Sequence, residues 1–369
     1  MIYITYNDAP GGIYQSQVID TCRFWEDTFD EEALLIALVS GRNFFATRKQ
    51  IKQTWSHSIV LPMYPGITNW KKNTRLLKLA MLSRSKGNVI ARGVFATLLA
   101  RENKKFTKVC FDARGAYAAE WSEYLKGESA AIEKDIKKLE GDALLNSDSR
   151  IAVSQKLIDY WKENFNYANS NHVIIPCTLS KKVSTEYDGA AISKLRKQLS
   201  FTDSDVVLVY SGSSAKWQSF NVLEENISKA FSTNAALKLL MLCKAGEEKT
   251  LADKFPGRVM QKWVNEDEVH NYLQAADYGL LIREQSVTNK VSSPVKFAEY
   301  LAAGLPVIIS ENIGDYSTFV TEKNCGMLVG NTDWANIKRP ADIEKKNIQA
   351  IAEQYFRKAN YIEEYKKLF

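Results

Sequence analysis

The chain has 369 residues, 45% hydrophobic and 25% charged, with a formal net charge of +6, which excludes a disordered or fibrous protein and allows two domains. Five scattered cysteines argue against a disulfide framework or structural zinc and for a reducing compartment. The N-terminal MIYITYNDAPGG lacks a charged leader followed by an apolar tract and no run reaches membrane-spanning length, so a cytoplasmic protein is expected.

In chain order, the first half alternates short apolar runs with longer amphipathic ones. MIYITY, ALLIALV, HSIVLP, NVIAR, KVCFD, RIAVS and HVIIP read as strands. Residues 15–29, 68–81, 118–145 and 155–165 read as helices between them. Near-continuous apolar strands joined through helices predict a parallel sheet covered on both faces. The pattern restarts after the polar segment 180–188. DVVLVYSG, ALKLLMLC, RVMQKWV, DYGLLIR, LPVIIS and GMLVG are the next strands, with helices around 217–231, 267–275 and 295–303. The domains expected are 1–180 and 181–345, both doubly wound, with a helical tail over 346–369 packing back on the first. The cleft between two such domains is the preferred ligand site.

The charge is segregated. From Ala33 to Arg101 there are twelve basic residues and no acidic one, so the rest of the chain is net acidic. Within that sector NWKKNTRLLKLAMLSRSK combines six bases with an apolar stripe. It reads either as an amphipathic helix with its greasy face in the core or as a surface for an anionic bilayer. Nucleic acid is not expected, because no recognition module accompanies the charge.

Four stretches carry candidate chemistry. Gly11-Gly12, after strand one, permits a tight turn or close approach of backbone amides to a phosphate or sugar, although it is neither GxGxxG nor a P-loop. Asp112 and Arg114, in FDARG, stand at the same sheet edge as ligand contacts or as a mutual salt bridge, with Glu120 on the following helix. Gly212, Ser213 and Lys216, in YSGSSAKW, suit an anion such as a diphosphate, the alternative for Lys216 being a solvent-facing lysine. In NKVSSPVKFAEYLAAGLPVIIS, Ser293 is the expected N-cap and Pro294 the first helical residue, which puts Lys296 at the third. An acid is favoured there, so Lys296 is either neutralised by Glu299 one turn on or faces an anion.

PVKFAEYLAAGLPVI, followed by GDYSTFVTEKNCGMLV, resembles the donor-binding region of bacterial retaining glycosyltransferases of family 4 over about residues 277–330. Weaker similarity runs through the GG loop, FDARG, IAVSQKL, VIIP and VYSGSSAKW. The resemblance implies the GT-B fold, two Rossmann-like domains facing a central cleft, and transfer with retention of configuration. It implies no obligatory metal, a nucleotide-sugar donor, here expected to be UDP-linked, and a glycan or lipid-linked glycan acceptor of the bacterial surface-polysaccharide type. By motif position Glu299 holds the ribose, Lys216 the diphosphate and Lys296 the phosphate end. Gly12 lies beside the transferred sugar. Gly11, Gly212, Ser213, Ser293 and Val295 complete the donor contacts, and Asp112 and Arg114 the catalytic set.

The sequence departs from the family at Val291, which stands where the first of two paired glutamates is expected. The backbone of residues 288–292 is the expected substitute. No histidine falls at the family's acceptor-side position near Arg92-Gly93. His57, His172 and His270 have no zinc-ligand spacing. The alternatives to a glycosyltransferase are a GT-B sugar-nucleotide epimerase and a noncatalytic nucleotide-sugar or glycan-binding protein. A peripheral place on the inner face of the plasma membrane, through residues 68–86, is the expectation that the basic sector adds.

Overall fold

The computed structural model describes residues 1–124, 130–186, 188–212, 219–244 and 249–369. The chain divides into two compact units, Met1–Ser180 with Lys358–Phe369, and Lys181–Arg357.

Unit 1 is built on seven parallel strands: β1 Ile2–Tyr6, β2 Leu34–Val39, β3 Ser58–Pro62, β4 Gly87–Arg92, β5 Phe106–Ala113, β6 Ser149–Ala152 and β7 His172–Ile174. Their order is β3-β2-β1-β4-β5-β6-β7. The helices are α1 Gly12–Tyr14, α2 Asp20–Phe29, α3 Phe44–Thr54, α4 Asn73–Ala80, α5 Gly93–Arg101, α6 Tyr117–Tyr124, α7 Ala130–Leu145 and α8 Gln155–Phe165. Every residue of β2 is buried, as a central strand covered on both faces requires. The expected helix over 15–29 is present but interrupted: Gln15–Ile19 form a π-helical turn in which the Asp20 amide reaches back to Gln15 O. Of the helix expected over 118–145, the described residues form α6 and α7, and residues 125–129 lie outside the described residues.

Unit 2 has six parallel strands, β8 Val206–Ser211, β9 Leu237–Leu242, β10 Val259–Gln261, β11 Tyr278–Leu281, β12 Val307–Ile309 and β13 Gly326–Leu328. Their order is β10-β9-β8-β11-β12-β13. Its helices are α9 Gly189–Gln198, α10 Phe220–Thr233, α11 Lys249–Lys254, α12 Glu266–Gln274, α13 Val287–Val291, α14 Val295–Ala302, α15 Tyr316–Glu322 and α16 Asp342–Phe356. A last helix, α17 Ile362–Lys366, returns to unit 1. The tail expected over 346–369 is therefore two pieces: α16 belongs to unit 2, and only the chain from Lys358 belongs to unit 1. There Tyr365 and Leu368 are buried, with the Tyr365 ring 5.1 Å from Phe24 and that of Phe369 5.8 Å from Trp25.

A buried charge network fixes the middle of unit 2. Asp277, fully buried at the start of β11, takes the Val207 amide at 2.8 Å and Arg196 Nη1 at 3.1 Å on one oxygen. Its other oxygen faces Arg339 Nε at 3.3 Å and Lys345 Nζ at 3.6 Å. One carboxylate thereby holds α9, α16 and the 339 loop to the sheet. Such a cluster is tolerable only because each charge has a partner.

Candidate functional site

In each sheet the strand order reverses once, between β1 and β4 in unit 1 and between β8 and β11 in unit 2. Ligand sites of open parallel sheets lie beyond the carboxyl ends of the strands flanking such a reversal.

In unit 2, β8 ends at Ser211-Gly212. A Cβ at Gly212 would stand 2.6 Å from the Tyr210 hydroxyl, so a larger residue here would have to push that ring tip aside. Ser213 and Lys216 lie outside the described residues. Beyond β11 the chain enters α13, whose N-cap Ser286 accepts from the Asn289 amide. Asn289, 1% exposed, cross-links the approach: its amide group donates to Glu284 O and its oxygen accepts from Arg283 Nη1. Its own carbonyl accepts from the amides of Ser292 and Gly314. Gly314 has φ +49°, and a Cβ there would meet Ser292 O at 2.0 Å, so the Asn289–Ser292 turn is packed against bare backbone.

Helix α14 begins one residue later than expected. Pro294 is the N-cap, Val295 the first helical residue and Lys296 the second. The Ser293 hydroxyl is buried and bonded to the Tyr316 hydroxyl at 2.7 Å. The N-cap Pro294 has no side chain that could cap α14, and a helix leaves its first amides without intrahelical acceptors. The Val295 side chain is buried, so its backbone amide is what it offers. Lys296 Nζ donates to Glu299 Oε2 at 2.7 Å, with the two side chains 26% and 22% exposed. The pairing that the spacing allowed is thus made, at the rim of the sheet reversal.

Val291 is the last residue of α13 and 1% exposed, so a carboxylate at that point would be buried rather than ligand-facing. The backbone of residues 288–292, the expected substitute, is largely spent: the amides of Asn289, Lys290 and Ser292 all have acceptors inside the α13 turn.

Behind α14, Tyr300 does work that the sequence did not reveal. Its fully buried hydroxyl accepts from the Ser211 amide at 2.9 Å and donates to Leu280 O at 3.3 Å, joining α14 to the ends of β8 and β11. The ring lies over Gly279, where a Cβ would be 2.4 Å from Tyr300 Cγ. The Gly-Tyr complementarity spans more than twenty residues of sequence, beyond the reach of a periodicity argument. His270 lies on α12. Both of its ring nitrogens are buried without hydrogen-bond partners; burial depresses its pKa, and Glu299 opposes that shift.

In unit 1, Gly11 is extended (φ 164°) and a Cβ on it would meet no atom within 4 Å, so neither backbone strain nor packing demands a glycine. Gly12 opens the helical stretch that runs on through the π turn into α2. Asp112 and Arg114 take the salt-bridge alternative. Asp112 is 2% exposed and receives Arg114 Nη1 at 3.1 Å on one oxygen and the Tyr3 hydroxyl at 2.6 Å on the other, with Arg92 Nη1 at 3.8 Å. Burial opposes ionisation, but the two guanidinium groups and the Tyr3 hydroxyl outweigh it and hold this carboxyl below the usual carboxylate range. Arg114 spends its other nitrogen on Gln17 Oε1 and Cys177 Sγ. The two side chains face each other because Asp112 is buried and needs paired cations. The π turn is what swings Gln17 into this network, where its amide also donates to Thr178 O.

At the rim of the same edge, Asp8 Oδ1 lies 3.5 Å from Arg92 Nε; burial raises the Asp8 pKa and Arg92 lowers it. Glu120, on α6, is partly exposed, and burial raises its pKa. Among the described residues no group of three or more His, Cys, Asp or Glu side chains is arranged to hold a metal ion.

The two parallel sheets, each with a single order reversal, are those of the GT-B glycosyltransferase fold. The chain is similar to HepE of Anabaena in complex with UDP at TM-score 0.71, with 14% identity over 99% of this chain and 98% of that one. Sucrose-phosphate synthase from Thermosynechococcus elongatus is similar at TM-score 0.69, with 13% identity over 99% and 97%. WaaG, a glycosyltransferase involved in lipopolysaccharide biosynthesis, is similar at TM-score 0.66, with 13% identity over 99% and 98%. Residues 218–364 match the family model described as glucosyltransferase 3-like, C-terminal domain. No curated protein matches the chain in sequence. The protein thus carries a GT-B fold, with the family-model match confined to residues 218–364.

Proposed function

We propose that the protein is a retaining glycosyltransferase that takes a sugar from a UDP-linked donor held by unit 2 and passes it to a glycan or lipid-linked glycan recognised by unit 1. The observation that carries the reading is the Lys296–Glu299 pair at the uncapped start of α14, beside the reversal of sheet 2. Lys296 takes one oxygen of Glu299 and leaves the other for the ribose diol. The amides of Val295 and Lys296 and the helix dipole meet the diphosphate as negative charge develops on it. Lys216 is assigned to the same diphosphate from its position in the sequence, and Gly12 to the neighbourhood of the sugar. The accessible backbone at Gly11 is consistent with a ligand approaching there. HepE, by its description in complex with UDP, supports the choice of nucleotide.

The acceptor hydroxyl attacks on the face from which the diphosphate leaves, and a donor phosphate oxygen takes its proton. Losing Glu299 removes one or two charge-assisted hydrogen bonds, roughly 1.5–3 kcal/mol, or about 10- to 150-fold in kcat/KM. Donor-dependent transfer by E299A and K296A tests the assignment, and wild-type kinetics in both would sink it.

The membrane part of the reading is favoured by α4. Leu77 and Met81 fill the core, as the amphipathic alternative requires, yet Leu79 and Leu82 are 66% and 68% exposed among Arg75, Lys78 and Arg84. Co-sedimentation with vesicles containing anionic lipid is expected to fall in L79S/L82S; no binding by the wild type refutes it. No helix among the described residues is long and apolar enough to cross a membrane.

A further inference from the structure

Five aromatic side chains form one connected strip at the carboxyl edge of sheet 1, and the site described above uses none of them. Tyr6 is the last residue of β1, Phe95 sits in the first turn of α5 directly after β4, and Tyr117 opens α6 after β5. Since β1, β4 and β5 are neighbours, three adjacent strands each deliver one ring to the same edge, across the reversal point of the sheet. Ring centroids are 5.3 Å apart for Tyr6–Phe95, 5.8 Å for Phe95–Tyr117 and 6.4 Å for Tyr117–Trp121, and Trp70 backs Phe95 at 5.9 Å.

The strip is graded. Trp70 and Phe95 are buried and form its floor, whereas Tyr6, Tyr117 and Trp121 are only partly buried. Polar tips hold the outer rings in place. The Tyr6 hydroxyl is bonded by Asn73 Nδ2 at 3.2 Å, and Asn73, fully buried, also accepts from the Tyr64 amide, which fastens α4 to this edge. The Trp121 indole lies near enough to the Tyr117 hydroxyl to lower its pKa, against the burial that raises it. Fixed, half-exposed rings with polar rims match a ligand that has both an apolar face and hydroxyl edges. A pyranose is such a ligand: its axial C–H bonds present a weakly positive face to the π cloud while its equatorial hydroxyls reach outward. A purely apolar partner would not need the tyrosine and tryptophan polar groups.

We propose that Tyr6, Tyr117 and Trp121 are the subsite for a pyranose ring of the acceptor. This deepens the glycosyltransferase reading and rests on it only for the name acceptor. The test uses the full chain and saturation-transfer NMR with methyl pyranosides of glucose, galactose and N-acetylglucosamine, beside separate titration with UDP. Saturation of the ring C–H protons of at least one pyranoside is expected, and it is lost in Trp121→Ala. Transfer to that pyranoside from a UDP-sugar is expected to lose about tenfold or more in kcat/KM in W121A, with UDP affinity within about twofold of wild type. Should W121A fold poorly, Trp121→Leu, which keeps apolar bulk without a π face, replaces it. No saturation with any of the three pyranosides, or saturation unchanged in the folded Trp121 variant, overturns the proposal. Pyranoside binding without UDP binding would leave this subsite standing and remove the donor reading.

Discussion

The Tyr300 hydroxyl offers the sharpest test of how unit 2 builds its site. Tyr300→Phe removes one oxygen and leaves the ring over Gly279 in place. The Ser211 amide, which donates to that oxygen at 2.9 Å at the end of a fully buried strand, is then left without its acceptor. A buried donor stripped of its partner costs about 1–3 kcal/mol, and Leu280 O loses a second, longer bond at 3.3 Å. For a unit of this size each kcal/mol lowers the midpoint by about 2–4 °C, so a fall of roughly 2–12 °C is expected. Because Ser211 leads directly to Gly212, UDP affinity should drop in the same variant. Thermal unfolding and calorimetric titration with UDP measure the two effects. Gly279→Ala, which drives a methyl into the same ring, should be the more damaging change. A Y300F midpoint within about 1 °C of wild type and unchanged UDP affinity would refute the reasoning, because both consequences follow from one hydrogen bond.

Three further outcomes follow from buried charge and from the tail. Asp277→Asn keeps an acceptor for the Val207 amide but leaves Arg196 and Lys345 buried without their counter-charge; urea unfolding should show a loss of about 3–5 kcal/mol. Glu140, 1% exposed, accepts from the Tyr117 and Ala118 amides at the start of α6, yet burial pushes its pKa up to about 7. Its folded value lies above the unfolded one, so the stability it contributes is full below about pH 4.5 and is lost as pH rises through about 7. E140Q should flatten that part of the stability–pH curve, and an unchanged slope would count against the assignment. A stop codon after Arg357 removes Lys358, Tyr365 and Leu368 from the core of unit 1. Unit 1 should then unfold at lower temperature and bind a hydrophobic dye, and a midpoint equal to wild type would show that the tail is dispensable.

The legible part of the fold was the part written in short-range patterns. LLIALV and VVLVYS read as buried strands because they are apolar throughout, and each is one. Helix α5 escaped notice for the opposite reason: seven of its nine residues are buried, so it lacks the polar face that gives a helix its period. Helix α3 buries only Ile51 and leaves almost no apolar stripe to detect. At the candidate site, the Lys296–Glu299 contact followed from three-residue spacing, whereas the shift of the N-cap from Ser293 to Pro294 depended on Tyr316, twenty-three residues away, claiming the serine hydroxyl. Asp112 and Arg114 read as a pair from their spacing, whereas the depth at which they pair is a property of the assembled sheet.

The sequence by itself determined that two successive sets of apolar strands and helices would fold as parallel sheets, and that a lysine and a glutamate would share one turn of a helix opening at a proline. These depend on side-chain period, on proline's fixed φ and on local helical geometry, all of which act within a few residues. Only the tertiary structure decided where each strand order reverses, which glycines must be bare because another chain segment lies against them, and that Tyr6, Phe95, Tyr117 and Trp121 meet. Those outcomes are set by pairing between strands distant in sequence, whose relative positions no local pattern encodes.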